Sequence, residues 1–171
     1  MKLSILIILL FITYTAFAQQ KHKLTVDEKT GKPMLMGEVS RQAFQDSSFA
    51  SWFNTQYKFY KPDVKIEEEL APKLKDKKIE IVMGTWCSDS RREVPRFLKV
   101  LDEANFPDSS LEIITINRKI KSIDGEVDSL GIERVPTIIV YENGKELGRI
   151  IETPIETLEK DLENIVKKPK K

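Results

Sequence analysis

The residue with the most evident chemistry in this sequence is Cys87, in the stretch MGTWCSDSRREVP that runs from Met83 to Pro95. An apolar run precedes the cysteine, and the polar residues after it are typical of the first turn of a helix. A helix N-terminus presents unpaired N–H groups and a positive partial charge, and both favour a thiolate over a thiol. Because the thiolate is the form of cysteine that attacks disulfides, the pattern indicates thiol–disulfide chemistry.

The cysteine count limits that chemistry, because the 171-residue sequence contains one cysteine. Cys87 is therefore a reactive thiol, a site of intermolecular pairing or an inert buried side chain. Ser90, three residues later, offers the sulfur a hydroxyl but no second thiol. Arg91 and Arg92 add positive charge near the sulfur, whereas the carboxylate of Asp89 opposes a second anion.

The first 18 residues have the pattern of a secretory signal peptide. Lys2 supplies a positive charge, Leu3 to Ile12 form an apolar run, and Ala16-Phe17-Ala18 resembles a cleavage site. The apolar run is shorter than the roughly 20 residues that a membrane-spanning helix needs. We therefore expect cleavage near Ala18 rather than an uncleaved membrane anchor. The mature chain would be periplasmic or secreted, where disulfides persist.

Composition and motifs exclude several classes of partner and cofactor. The sequence has 28 basic and 27 acidic residues, and this balance gives no reason to expect nucleic acid or an anionic membrane surface as partner. The single histidine, His22, is distant from Cys87 in sequence, and the two make no recognisable metal site. No glycine-rich phosphate loop is present, so the sequence predicts no metal and no cofactor.

The elements that must position Cys87 are clearest from residue 78 onward. The hydrophobic pattern predicts, in order, a strand at 78–84, a helix at 88–104, a strand at 111–117, a short helix at 126–130, a hairpin at 137–151 and a last helix that opens at Thr153-Pro154. The first two strands should be parallel because a helix joins them. The hairpin has Asn143-Gly144 at its turn and adds an antiparallel pair.

These elements predict an α/β domain with a mixed central sheet and helices on both faces. Ligand and catalytic sites of such sheets lie at the carboxyl ends of the strands. Trp86 and Cys87 follow the first strand and therefore lie at such an end.

Residues 19–60 are expected to form a largely helical N-terminal extension to a domain that spans 61–171. A turn at 27–33 and a short strand at 34–39 lead to a helix at 47–60, and a second helix at 64–76 contains Pro72. The helix at 47–60 carries aromatic residues on one face, Trp52 among them. Two roles are open for it: it packs on the sheet as extra core, or it shields the site.

Four features, in register, make residues 78–166 resemble the thioredoxin-like family. GTWCSDS stands where the family has its W-C-x-x-C turn, and Pro95 stands where the family's active-site helix is kinked. GIERVPT, at 131–137, resembles the family's G-I-x-x-[IV]-P-T segment, whose proline is cis. TIIVYENGKELGRI, at 137–150, resembles the family's closing hairpin. The resemblance implies a thioredoxin-like fold.

The resemblance also implies roles for individual residues. Cys87 matches the attacking cysteine, and Trp86 matches the tryptophan beside the substrate groove. Pro136 matches the cis-proline that faces the active site. Val135 matches the residue whose backbone pairs with a bound peptide as an added strand, and Thr137 completes this substrate-binding segment. Ser90 and Asp89 are expected to support the cysteine.

Three residues depart from the family pattern. Ser90 replaces the second cysteine, Ile81 stands where thioredoxin has a buried acid that assists proton transfer, and Glu152 stands where it has a glycine near the groove. Without a second thiol in the turn, Cys87 can attack a disulfide but then stays bound until another thiol releases it.

Two functions follow as alternatives. In the first, an exported monothiol thiol–disulfide oxidoreductase or isomerase uses Cys87 to attack protein disulfides or thiolated proteins, and an external thiol resolves the adduct. In the second, a redox-inactive thioredoxin-fold module binds peptides or proteins, and the cysteine is incidental. Fold alone does not decide between them. We favour the first because Trp86, Cys87 and Pro136 occur together.

Overall fold

The computed structural model describes residues 22–167, so the predicted signal segment 1–18 lies outside the described residues. The strands are β1 (His22–Val26), β2 (Pro33–Glu38), β3 (Lys77–Met83), β4 (Leu111–Thr115), β5 (Thr137–Glu142) and β6 (Lys145–Ile151). The helices are α1 (Ala50–Phe59), α2 (Val64–Leu74), α3 (Ser88–Glu103) and α4 (Leu158–Val166), with short 3-10 helices at Arg41–Gln45 and Asp108–Ser110. Within 22–167, no helix is both long enough and apolar enough to cross a membrane.

The six strands form one mixed sheet in the order β1-β2-β4-β3-β5-β6. Strands β3 and β4 are parallel, and every other neighbouring pair is antiparallel. The predicted parallel pair, the predicted hairpin and the mixed α/β class are thereby confirmed. The hairpin turn has positive φ angles at Asn143 and Gly144, 51° and 77°, as a tight two-residue turn requires.

The larger apolar core lies on one face of the sheet. Strand β3 sends Ile79, Ile81 and Met83 to this face, because alternate residues of a strand point to opposite sides. All four helices contribute buried side chains to the same cluster, represented by Phe53, Leu70, Phe97 and Leu162. A smaller cluster on the other face contains Val82, Ile114, Ile116, Val127 and Val135.

The segment that packs in the smaller cluster is a loop rather than a helix. The prediction of a helix at 126–130 is wrong, because the chain forms turns there. Its hydrogen bonds are single-turn contacts, from Asp128 N–H to Gly125 and from Leu130 N–H to Val127. Gly125 and Gly131 both have positive φ angles and bound a stretch too short to propagate a helix.

The last helix begins later than the sequence predicts. Its N-cap is Thr157, whose hydroxyl accepts from the Lys160 N–H at 3.2 Å, so the predicted start at Thr153-Pro154 is wrong. The carboxylate of Asp161 accepts from the N–H groups of Ile155 and Glu156 and holds them in a turn outside the helix. Ile155 is consequently 94% exposed and does not belong to the apolar face of α4.

The N-terminal extension is continuous with the domain. The predicted strand at 34–39 corresponds to β2, which pairs with β4, whereas β1 was not predicted. Aromatic residues of α1 and of the preceding 3-10 helix pack in the larger core, where the rings of Phe44 and Phe53 stack with centroids 5.1 Å apart. The extension therefore adds core to the domain, and its hairpin β1–β2 lengthens the sheet.

Candidate active site

Cys87 lies at the junction between β3 and α3. It is the N-cap residue of α3, and its N–H donates to the Gly84 carbonyl at 2.9 Å across the connecting turn. Its side chain makes no capping hydrogen bond to the helix and is partly exposed. The sulfur therefore sits at the positive end of the helix dipole without being used by the helix itself.

The sulfur faces the segment before β5. The thiol donates to the Val135 carbonyl, with Sγ and oxygen 3.2 Å apart. The following peptide bond, Val135–Pro136, is cis, as the resemblance implies. The carbonyl of Pro136 accepts from the Glu152 N–H at 2.7 Å, which ties this segment to the end of β6. Two segments 48 residues apart in sequence thus meet at the sulfur.

Thr137, a predicted substrate-binding residue, and Glu152, which departs from the family pattern, both lie next to this segment. Thr137 is buried, and its hydroxyl donates to the Arg134 carbonyl at 2.7 Å, so its side chain is satisfied inside the protein. Glu152 has a φ of +59°, the left-handed backbone that glycine adopts without strain. The carboxylate of Glu152 pairs with Arg134 at 2.7 Å.

Ser90 occupies the position of the missing second thiol. Its side chain is fully buried in the first turn of α3, and its oxygen accepts from the Gly84 N–H at 3.3 Å. The hydroxyl therefore fixes the turn against the helix from within. Because Ser90 is not exposed, a substrate can meet the sulfur of Cys87 but not this hydroxyl.

The charged residues predicted to act on the sulfur have other partners. Asp89 pairs with Arg92 at 2.7 Å, which offsets both charges. Arg91 donates to the Thr85 carbonyl at 2.5 Å. These side chains therefore hold the turn and the start of α3, and the structure adds a further source of positive charge near Cys87.

That source is Arg118, which follows β4 and stacks on Trp86. The guanidinium carbon lies 4.7 Å from the centroid of the indole ring, within the range of a cation–π contact. The indole N–H donates to the Ile116 carbonyl at 2.8 Å and fixes the ring. Gly84 leaves room for it, because a Cβ at that position would lie 2.6 Å from the indole.

Asp27, in the turn after β1, holds the guanidinium of Arg118. The two form a bidentate ion pair with N–O distances of 2.7 and 2.9 Å, and Asp27 is 2% exposed. Hydrogen bonds from Arg118 and then from the Thr30 hydroxyl hold the pKa of Asp27 well below its usual range. The pKa of Arg118 is raised, chiefly by its hydrogen bond to Asp27.

The hairpin β1–β2 lies directly beside the Cys87 turn. The Leu35 N–H of β2 donates to the buried Thr85 hydroxyl at 3.1 Å. The hairpin thereby brings Asp27 to the same edge of the sheet as Cys87. Among residues 22–167, no group of three or more His, Cys, Asp or Glu side chains is placed to hold a metal ion.

The arrangement of strands around Cys87 decides the fold. The order is β3–α3–β4 with parallel strands, then an antiparallel β5–β6 pair and α4, with a cis-proline opposite the N-terminus of α3. The fold is thioredoxin-like. The extra hairpin β1–β2 and helix α1 precede this unit in the chain.

Comparisons with known proteins show a likeness of fold to a solved structure and no similarity of sequence that identifies a family. The solved structure of a protein of unknown function from Pseudomonas aeruginosa superposes with a TM-score of 0.53 at 16% identity, over 76% of this chain and 90% of that chain. Thioredoxin O2 from Arabidopsis thaliana, in its oxidized state, gives a TM-score of 0.41 at 16% identity, over 59% of this chain and 90% of that chain. No family model matches the sequence, and no curated protein matches it. The function must therefore be argued from the site.

Arg118 and Asp27 are the site residues that the sequence analysis missed. A signal for Arg118 was present, because it follows the carboxyl end of β4 and parallel strands bring their carboxyl ends to one edge of a sheet. Asp27 offered no such signal, since its position depends on β1, which the sequence did not predict.

Removing the charge of Arg118 tests its effect on Cys87. We expect Arg118→Gln to slow alkylation of Cys87 at pH 7 about tenfold, because the variant loses a positive charge that favours an anionic sulfur. Lys145→Gln, which removes a cation from the exposed β5–β6 turn, is the control. Equal alkylation rates for the two variants across pH would contradict the prediction.

Proposed function

We propose that this thioredoxin-like protein catalyses thiol–disulfide exchange through Cys87 alone, with an external thiol as the resolving partner. The observation that carries the proposal is the partly exposed Cys87 sulfur at the N-terminus of α3, 3.2 Å from the carbonyl that precedes cis-Pro136. The sulfur packs against the edge of the smaller apolar cluster but stays partly exposed, so a substrate disulfide can reach it.

The reaction consists of two balanced exchanges. The Cys87 thiol releases its proton, and the thiolate attacks one sulfur of a substrate disulfide R–S–S–R′. A Cys87–S–S–R bond forms, the S–S bond of the substrate breaks, and R′–S⁻ leaves and takes up a proton. An external thiolate then attacks the R sulfur, which releases Cys87 as a thiolate and yields a new disulfide. Each step exchanges one S–S bond for another and needs no further oxidant.

Residues around the sulfur promote the first exchange. The α3 N-terminus and the Arg118 guanidinium favour the anionic sulfur, and Asp27 keeps that guanidinium in place. The Val135 carbonyl accepts the thiol hydrogen in the resting state. Position 81 is occupied by a fully buried isoleucine, which cannot accept a proton as a carboxylate would. The proton of the Cys87 thiol therefore passes to solvent.

The segment around cis-Pro136 is suited to a peptide substrate. The Val135 N–H makes no hydrogen bond to another residue among those that the structure describes. An extended peptide next to the sulfur can accept from this N–H and pair with the backbone of this segment as a short added strand. Protein disulfides and thiolated proteins are therefore the proposed substrates. The signal-like segment 1–18 supports a site of action outside the cytoplasm, in the periplasm or beyond the cell.

Reaction of the full chain with bis(2-hydroxyethyl) disulfide, an uncharged reagent, tests the proposal. We expect one adduct on Cys87 by mass spectrometry, formed at least about tenfold faster than in the urea-unfolded chain at the same pH, because the folded site favours the thiolate. Added thiol should remove the adduct. The Cys87→Ser variant controls for non-covalent association. Labelling that occurs only after unfolding would instead identify a redox-inactive binding module.

A further inference from the structure

A pocket of about 570 Å³ lies against the face of hairpin β1–β2 that carries Met34 and Met36. Its lining includes Lys23 and the methionines Met34 and Met36 from the hairpin, and Arg118, Lys119 and Ile123 from the segment after β4. The volume falls in the range of pockets that bind ligands in other proteins. The pocket shares Arg118 and Asp27 with the sulfur site, and the rest of its lining lies outside the Cys87 turn.

The pocket adjoins the sulfur site through a shared side chain. Arg118 lines the pocket and also lies over the indole of Trp86, the residue before Cys87. The hydrogen bond from Leu35 to Thr85 fixes β2, and with it Met34 and Met36, beside the same turn. A molecule that extends out of the pocket past Arg118 therefore approaches Trp86, the residue before Cys87.

The rim of the pocket is positively charged. Lys23, Lys29 and Lys119 line it, and none of the three pairs with a carboxylate among the residues that the structure describes. Asp27 also lines the pocket, but Arg118 occupies both of its oxygens, which leaves Glu28 as the remaining acidic residue of the lining. The excess of cations complements an anionic ligand.

The floor of the pocket is apolar and adaptable. Met34 and Met36 supply flexible thioether side chains, which accommodate apolar groups of different shapes. Ile123 and Val26 border them and are 43% and 57% exposed, so apolar surface is available for a ligand to cover. Strand β1 is also an outer strand of the sheet, next to which an extended peptide can pair.

We propose that this pocket binds an extended peptide segment of the client protein, one that carries a large apolar side chain beside a carboxylate. The apolar side chain enters between the methionines and the carboxylate meets the lysines of the rim. Binding holds the client's disulfide at Cys87. The inference rests on the proposed function for the chemistry at the sulfur, but the binding itself does not require that chemistry.

Binding is tested without the chemistry on the full chain carrying Cys87→Ser. Two short fluorescent peptides without cysteine are compared by anisotropy, one with Leu flanked by Glu and one with Leu flanked by Lys. We expect the acidic peptide to bind at least about tenfold more tightly at low salt, and the preference to shrink as salt screens the charges. Combining Lys23→Glu with Lys119→Glu should abolish the preference, whereas two reversals on exposed lysines elsewhere, Lys58→Glu and Lys145→Glu, should retain it.

A second measurement separates this inference from the proposed function. Versions of the two peptides that each carry one disulfide are reacted with the unaltered chain, and bis(2-hydroxyethyl) disulfide is reacted in parallel. A faster reaction of the acidic peptide supports the inference. Selective binding without reaction of any disulfide would refute the proposed function and still support peptide binding in the pocket. Equal binding of the two peptides overturns the inference even where Cys87 reacts. A small disulfide that carries a carboxylate is also compared with an uncharged one. If its advantage equals that of the acidic peptide over the basic peptide, the occupant of the pocket is not a peptide.

Discussion

Replacing Ser90 with cysteine is expected to turn the monothiol site into a dithiol site in a single substitution. Ser90 is fully buried in the first turn of α3, three residues after the N-cap Cys87, where the family has its second thiol. Exchanging an oxygen for a sulfur changes little volume, so the fold should be retained. The introduced thiol can attack a mixed disulfide on Cys87 within the same turn.

The expected effect on the mixed disulfide is large because the resolving step becomes intramolecular. We predict that the adduct on Cys87 is released on the order of a hundredfold faster or more, given the effective concentrations of well-placed groups. Mild oxidation of Ser90→Cys should also close an internal disulfide, seen by mass spectrometry as the loss of two hydrogens and of both free thiols.

Ser109→Cys is the matched control for this experiment. Ser109 is exposed in the 3-10 helix before β4, at the amino ends of the parallel strands, whereas Cys87 lies at their carboxyl ends. A thiol there should neither resolve the adduct nor close a disulfide. Two thiols that persist in Ser90→Cys under the same oxidation would show that residue 90 does not face the sulfur. The active-site turn would then differ from that of the family in more than one atom.

The centre of the site could be predicted because its information is local. Cys87 follows a buried strand and precedes an amphipathic helix, and both patterns are visible in one continuous stretch of sequence. The segment containing cis-Pro136 has a short motif of its own. The hydrogen bond between the thiol and Val135 then follows from the strand order, which the βαβ unit and the hairpin determine.

The electrostatic part of the site could not be predicted in the same way. The ion pair between Asp27 and Arg118 joins residues 91 positions apart and depends on hairpin β1–β2. Strand β1 carries exposed Leu24 and Val26, 53% and 57%, because it lies at the edge of the sheet. Its sequence alternates polar and apolar residues only over the four residues from Lys23 to Val26, and a run this short is a weak signal for a strand.

Competing caps explain the error at the last helix. Thr153-Pro154 and Thr157 both offer an N-cap, and a proline at the first helical position made the earlier one the better prediction. Asp161 decides between them, because its carboxylate binds two N–H groups upstream of Thr157. A side chain in the first turn of the helix thus sets where the helix begins, and sequence spacing alone does not show that contact.

Phe44→Ala is expected to cause the largest loss of stability among the changes considered. Phe44 is fully buried, stacks on Phe53 at 5.1 Å and meets the edge of Trp52 at 6.1 Å. Truncating such a side chain leaves a cavity and costs about 3–5 kcal/mol of the free energy of unfolding. Urea unfolding followed by circular dichroism measures the loss. Phe59→Ala, at a 70% exposed position of α1, should change the free energy of unfolding by no more than about 0.5 kcal/mol.

The stability experiment also determines whether the N-terminal extension and the sulfur site form one cooperative unit. Phe44 packs in the same apolar core as Phe97 of α3, the helix that begins at Cys87. If they form one unit, Phe44→Ala lowers the urea midpoint for circular dichroism and for loss of the fast Cys87 reaction together. An early transition confined to circular dichroism, with the Cys87 reaction unchanged, would separate the extension from the site. In that case Asp27 and its hold on Arg118 would not contribute to the reactivity of the sulfur, and the Arg118→Gln effect would have to come from Arg118 without its partner.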